Sequence, residues 1–296
     1  IMCWCAVDCN VLANFAIYVG DIALEAPTLT EEVTNCTSGE VCVTTTDGFG
    51  LNENNDVILL QVPEGEEDTT NPCSTTSTPV DGIPNNGISE GSPDITDIPN
   101  TNEDRATFSF GTVDNPVVST GGIYFVCWCP SDCQAQANFG VYISRVRILA
   151  PVANQAYTCW NGQICYVLDA VSGFGLQNGD LLRVSTECGT SGTLSGLPNS
   201  GVSQGAQNRG KSFTWAASGI GDDTSSIFQT SSPRAYALCW CPASRGCGTS
   251  GEEFLTDIGT MTVGGPFASQ SAVCYLGYEC PIPGIQGLNL RRGDRM

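Results

Sequence analysis

A tandem array of antiparallel β-sandwiches, all-β and stapled by disulfides, is the fold this sequence predicts, and three observations predict it. Cysteine supplies 17 of 296 residues, a load typical of oxidising compartments, where bridges stand in for core that small domains cannot build. Short apolar runs are punctuated by Gly, Pro, Asn and Asp, as strands joined by turns are, and no stretch has a sustained helical period. One cysteine-centred stretch recurs at three places, which argues for three repeats.

That stretch is Ile123-Tyr124-Phe125-Val126-Cys127-Trp128-Cys129-Pro130 with Cys133. Its copies are Ile1-Met2-Cys3-Trp4-Cys5 with Cys9, and Ala235-Tyr236-Ala237-Leu238-Cys239-Trp240-Cys241-Pro242 with Cys247. Alternate side chains of a strand share a face, so Tyr124, Val126 and Trp128 line one side while Phe125, Cys127 and Cys129 line the other. The third copy splits likewise. Each copy therefore reads as a central strand with an aromatic face for packing and a cysteine face for cross-linking.

After each cysteine strand comes a last apolar strand ending in proline: Asn14-Phe15-Ala16-Ile17-Tyr18 to Ala26-Pro27, Asn138-Phe139-Gly140-Val141-Tyr142 to Ala150-Pro151, and more loosely Phe254 to Gly265-Pro266. A proline ends pairing on the side of its missing N–H, so these prolines read as strand exits and domain boundaries. The expected units are residues 1–27 (the late half of a repeat), 28–151 and 152–266 (complete repeats), and 267–296 (the early half of another). The half units are expected to complete themselves with neighbouring sequence. The chain opens inside a strand, as a piece of something longer would.

A second block follows each proline. It holds cysteines six apart around a glycine: Cys36/Cys42 with Gly39, Cys159/Cys165 with Gly162, Cys274/Cys280 with Gly277. A tight turn between them would need that glycine. Next come Gly48-Phe49-Gly50-Leu51, Gly173-Phe174-Gly175-Leu176 and Gly287-Leu288-Asn289-Leu290. An apolar strand follows from Asp56, aligned with Asp180, and Ala106 to Phe110, aligned with Lys211 to Trp215, reads as the strand before the cysteine strand. Between these elements the copies differ in length, as surface loops do; Pro63 to Thr70 and Ser92 to Asp104 are such stretches.

Residues 28–151 hold six cysteines, which allow fifteen pairings. Joining the close neighbours gives Cys36–Cys42 and Cys129–Cys133 and leaves Cys73–Cys127; the next unit gives Cys159–Cys165, Cys241–Cys247 and Cys188–Cys239. Cys5 with Cys9 and Cys274 with Cys280 complete the set. Cys3 is the odd residue, expected either to pair with sequence before residue 1 or to bridge between chains. Zinc is the rival use of so many cysteines, but the spacings fit structural zinc poorly.

Short strands in a unit of this size suggest an immunoglobulin-like sandwich. Tyr124 before Cys127, and Tyr236 before Cys239, resemble the tyrosine corner of that fold, set one residue further from the cysteine than usual. The whole pattern, Tyr-x-(Val/Leu)-Cys-Trp-Cys-Pro through an Ala/Gly-Pro tail to Cys-x2-Gly-x2-Cys and Gly-x-Gly-Leu, resembles the tandem cysteine-rich repeats of very large secreted and surface proteins of alveolates and other protists. The resemblance covers essentially the whole chain. It implies an extracellular array of β-domains and supplies no catalytic residues. Such arrays are similar in style to flagellar-hair (mastigoneme) components and other extracellular fibrils.

Function classes are narrowed by what the chain carries. With 31 acidic residues against 11 basic ones and a net charge of -20, nucleic acid is not the expected partner, because that affinity depends on Lys and Arg at phosphates. With no histidine, serine-protease-like triads and histidine metal sites are excluded. No apolar run approaches the length of a membrane span. Calcium is the candidate ion, with oxygen ligands at Asn52 to Asp56 and Asp94 to Asp104, although no copy has the twelve-residue EF-hand pattern. Asn35-Cys36-Thr37 is a sequon, expected on a turn, so Asn35 is the candidate glycan site. Thr69 to Pro79 could take O-linked sugar, and Arg292-Gly293-Asp294 reads as a repeat turn rather than an adhesive tripeptide.

The expectation is a non-enzymatic structural segment of an extracellular filament or appendage, whose partners are neighbouring repeats or copies of itself. A surface adhesin or receptor ectodomain using the acidic loops is the alternative.

Overall fold

A computed structural model describes residues 2–5, 9–61, 72–73, 77–216, 227–280 and 284–291. Among them the regular structure is almost entirely strand, with helix only as 3₁₀ turns of three or four residues. The acidic stretch from Pro63 to Thr70 and the Arg292-Gly293-Asp294 tripeptide lie outside the described residues, as do parts of Thr69 to Pro79.

The leading piece is a two-stranded ribbon, β1 (Met2–Trp4) against β2 (Ile17–Gly20). The next unit comprises β3 (Ala26–Pro27), β4 (Val33–Thr37), β5 (Cys42–Phe49), β6 (Asp56–Gln61), β7 (Thr78–Pro79), β8 (Asp94–Asp97), β9 (Asp104–Phe110), β10 (Gly122–Cys129) and β11 (Val141–Pro151). One of its sheets runs β3-β5-β9-β8 and the other β11-β10-β6-β7, with β4 lying parallel to β11. This is the strand order of an immunoglobulin-like sandwich in which the first strand is split between the two sheets.

The following unit repeats it with β12 (Gln155–Trp160), β13 (Cys165–Val167), β14 (Gly173–Phe174), β15 (Leu181–Ser185), β16 (Phe213–Trp215), β17 (Ala235–Cys241) and β18 (Thr256–Pro266). Here β12 lies parallel to β18, β17 joins β18 to β15, and β13 pairs β16. A last short strand, β19 (Gly287–Leu288), pairs with the end of β18.

The division of faces along the cysteine strand is realised in both complete copies. Tyr124, Val126 and Trp128, like Tyr236, Leu238 and Trp240, enter the sandwich core with Phe108, Phe110, Phe213 and Trp215. Burying side chains of this size contributes about 1.5–3 kcal/mol each. Cys127 and Cys129 face the other way, into a small outer cluster with Ile58, Leu60, Cys73, Cys133 and Phe139. Cys239 and Cys241 do the same with Val202 and Phe254.

Both tyrosines close a corner. The Tyr124 hydroxyl donates to Thr120 O at 3.0 Å and that of Tyr236 to Ser232 O at 2.7 Å, each reaching back four residues as the tyrosine corner does.

One feature of the last strand is invisible to simple alternation. In all three copies the pairing slips at the cysteine: Met2/Cys3 meet Gly20/Tyr18, Val126/Cys127 meet Ser144/Tyr142, and Leu238/Cys239 meet Gly259/Asp257. The extra residues are Val19, Ile143 and Ile258, and the bulge turns Ile143 and Ile258 into the core.

Candidate functional site

The repeated motifs that carry no catalytic chemistry meet one another at the junctions between units. Ala26 and Pro27 pair with Phe49 and Gly48, Ala150 and Pro151 with Phe174 and Gly173, and Gly265 and Pro266 with Leu288 and Gly287. The residue after each proline then donates its amide to the residue before each glycine: Thr28 to Asp47 O (2.7 Å), Val152 to Ser172 O (3.0 Å) and Phe267 to Gln286 O (3.0 Å).

The prolines are strand exits, and these strand ends also pair with the unit that follows. Pro151 and Pro266 are the last residues of eleven-residue strands that leave one unit and enter the next. Proline fits there because its carbonyl still accepts, as Pro151 O does from Gly121 N at 2.8 Å, and the donor it lacks is not asked for.

Glycine is required opposite them for want of space. A β-carbon on Gly48 would stand 2.7 Å from Pro27 Cα, on Gly173 2.6 Å from Pro151 Cα, and on Gly287 2.7 Å from Pro266 Cα. Two residues on, the chain turns through a left-handed conformation at Gly50, Gly175 and Asn289 (φ +67°, +62° and +57°). Asparagine is the side chain that tolerates this best, which explains the exchange in the third copy.

A second contact stands beside the crossing strand. The turn after β4 meets the loop after β17 and the start of β18: Ser38 Oγ and Thr256 Oγ1 are 2.7 Å apart and buried, Ser244 Oγ donates to Glu40 Oε1 at 2.7 Å, and the Arg245 guanidinium donates to Gly39 O. The buried Ser38–Thr256 pair fixes relative orientation because leaving either hydroxyl unmet costs about 1–3 kcal/mol.

The turns that enter β6 and β15 are locked to the loops after the cysteine strands. Asn55 Oδ1 accepts from Asn52 N (3.0 Å) and its Nδ2 donates to Pro130 O (3.0 Å). Asp180 accepts from Gln177 N (2.9 Å) and from Ala243 N (3.0 Å). The counterpart of Asp180 is thus Asn55 and not Asp56, which matches Leu181 by its pairing with the last cysteine of the strand. Asp56 is the first residue of β6, whereas Asp180 stands one residue before β15. Burial pushes the Asp180 carboxyl above the usual aspartate range, opposed by the two backbone N–H groups.

Asn52, Asn55 and Asp56 thus spend polar atoms on the turn itself; Asp56 Oδ1 also accepts from Val57 N and the Ser89 hydroxyl. Asp94 and Asp97 stand exposed on β8, where Asp97 pairs across to Asp104. Among the described residues no three His, Cys, Asp or Glu side chains gather as metal ligands would.

Asn35 lies exposed in β4, opposite Arg147, and not on a turn. The turn begins later, at Ser38 and Gly39, because the bridging cysteine at position 36 belongs to the strand.

Eight disulfides are closed: Cys5–Cys9, Cys36–Cys42, Cys73–Cys127, Cys129–Cys133, Cys159–Cys165, Cys188–Cys239, Cys241–Cys247 and Cys274–Cys280. Cys3 carries a free thiol and is exposed. Sequence reasoning missed Arg183, a buried cation beneath the outer face of β15, whose guanidinium donates to Thr190 O (3.3 Å) and Gly192 O (2.6 Å) and so shapes the loop carrying Cys188. No signal marked it, since the matching residue of the other unit is Ile58. Among the described residues no helix is long and apolar enough to cross a membrane.

No family model matches the chain. Over 90 residues, 29% of the chain, it is 32% identical to cysteine repeat modular protein B of Toxoplasma gondii, and it spans about 1% of that relative's length. Among solved structures it is similar to Dpr2 Ig1-Ig2 in complex with DIP-Theta Ig1-Ig3 (11% identity, 82% of this chain and 68% of that one, TM-score 0.22). A chimeric titin Z1Z2 tandem is another (10% identity, 80% and 98%, TM-score 0.23). At those scores the superpositions carry no argument; the immunoglobulin-like assignment rests on strand order, the parallel β4–β11 pair and the tyrosine corners. The chain is a cysteine-rich, all-β repeat protein.

Proposed function

We propose that this chain is a structural, non-enzymatic segment of an extracellular filament or surface appendage, built from disulfide-stapled β-units joined end to end. The junction carries the reading: two motifs shared by all three copies, Ala/Gly-Pro and Gly-Phe/Leu-(Gly/Asn), are spent on coupling one unit to the next. A binding module would spend repeated residues on a concave surface. The oxidised cysteines and the partial match to a cysteine-repeat protein support an extracellular or cell-surface setting.

Neighbouring repeats are the partners in this reading, along one chain or between chains by donation of strands to an incomplete sandwich. Asn35, exposed on an outer strand, is the glycan site in this reading.

Electron microscopy of the native material tests the proposal. Fibres with an axial spacing in units of these domains are expected. Isolated rods or single chains that bind a partner through their loops would replace it with the adhesin reading.

A further inference from the structure

We propose that each complete unit bears tension, with the parallel β4–β11 and β12–β18 pairs loaded in shear, and that the long disulfides set how far a yielding unit can extend. This deepens the structural reading above and rests on it.

The path of force follows from the connectivity. A pull along the array enters a unit through β3 at Ala26-Pro27 and leaves through the end of β11 at Ala150-Pro151, because those residues are continuous with the neighbouring units. Between entry and exit lies β4, in register with β11 from Val33 opposite Arg145 to Thr37 opposite Leu149. The two strands run parallel, so the entering end of β4 and the leaving end of β11 are at opposite ends of the pair. Force then acts along the strands, and the ladder bonds must fail together. Had the pair been antiparallel with both loaded ends at one side, they would open one by one. The next unit repeats the arrangement, with Gln155 opposite Gly259 through Trp160 opposite Gly264.

The cross-links fit the same purpose. Cys36–Cys42 ties the far end of β4 to β5, so that β4 stays attached to the other sheet when the pair is strained. Once the pair fails, chain enclosed by a bridge cannot unravel. In the first complete unit the bridges enclose separations of 54, 4 and 6 residues, roughly 64 residues or about 220 Å of extended chain. In the second they enclose 51, 6 and 6, nearly the same length, although the intervening loops differ.

Single-molecule pulling of the full chain by its two ends tests this. The oxidised protein is expected to yield in abrupt single steps, one per complete unit. With a thiol reductant each step should lengthen by about 220 Å, roughly a doubling. Proline placed in β4, Thr34→Pro and Asn35→Pro made separately, should lower the yield force of the first unit at least twofold in the variant that loses a ladder N–H, with the second unit unchanged as the internal reference. Gradual yielding at low force in the unaltered chain would overturn the proposal without needing any variant to fold. So would equal step lengths with and without reductant, or folded proline variants that both yield at the original force. A regular filament in micrographs together with such soft units would leave the structural reading standing and remove this one.

Discussion

Gly173 lies across from Pro151 so closely that a β-carbon on it would stand 2.6 Å from the Pro151 Cα. The same pairing joins Gly48 to Pro27 and Gly287 to Pro266, so the junction is one design used three times. Gly173→Ala should push the strands apart and destabilise the chain by about 1–3 kcal/mol, the cost of forcing volume into a packed contact. Gly140→Ala, with nothing within 4 Å of the added carbon, should change stability by under about 0.5 kcal/mol. Thermal unfolding of both variants checks the contrast.

The bridges should differ in worth by the loops they close. On the chain-entropy account, Cys73–Cys127, at a separation of 54, contributes about 4 kcal/mol, and Cys36–Cys42, at a separation of 6, about 2 kcal/mol. Replacing each pair with alanines and comparing denaturant midpoints should rank them in that order.

Tyr236→Phe removes the hydroxyl bonded to Ser232 O and Thr230 Oγ1 while keeping the ring. A loss of about 1 kcal/mol is expected, and Tyr124→Phe should cost a similar amount at the first corner. Equilibrium unfolding of the two variants measures it.

Asp180 and Asn55 occupy matching turns with opposite polarity, one accepting from Ala243 N and the other donating to Pro130 O. Exchange should fail in both directions: Asn55→Asp sets a carboxylate against a carbonyl, and Asp180→Asn sets an amide against an amide, each at about 1–3 kcal/mol. The pH response separates them further. Because the folded carboxyl of Asp180 titrates above its unfolded value, its contribution is fully present below the unfolded pKa, about 4, and is lost as pH rises through the raised folded value. Asp180→Asn should therefore flatten the fall in stability just above pH 4, as read from midpoints across a pH series.

How much of this was legible beforehand depended on which physics each residue answers to. Alternation along the cysteine strand obeys the two-residue period of any strand, so the partition of Trp128 from Cys127 could be read directly. The local cysteine pairs follow from proximity along a repeat whose copies are visible, and the long pairs join what those leave over. The pairing of the end of β11 with the next unit is hidden in the sequence because proline usually ends pairing, and the close approach of Gly173 to Pro151 exists only in three dimensions. The bulge at Ile143 adds a residue that periodicity cannot count. Asn35 adjoins a turn in sequence, but the pairing of β4 with β11 carries the strand past it to Thr37. Arg183 stands where the sister unit has Ile58, and a buried arginine leaves no trace in a single sequence.

Hydrogen exchange at the junction tests the account most directly. Gly121 N donates to Pro151 O on the side of the first complete unit and Val152 N to Ser172 O on the side of the second, so the two bonds together hold the Pro151–Val152 peptide to both units at the crossing. Protection of both amides comparable to that of the neighbouring β11 strand is the predicted result. Exchange of both at the rate of an open linker, with β11 still protected, would contradict it.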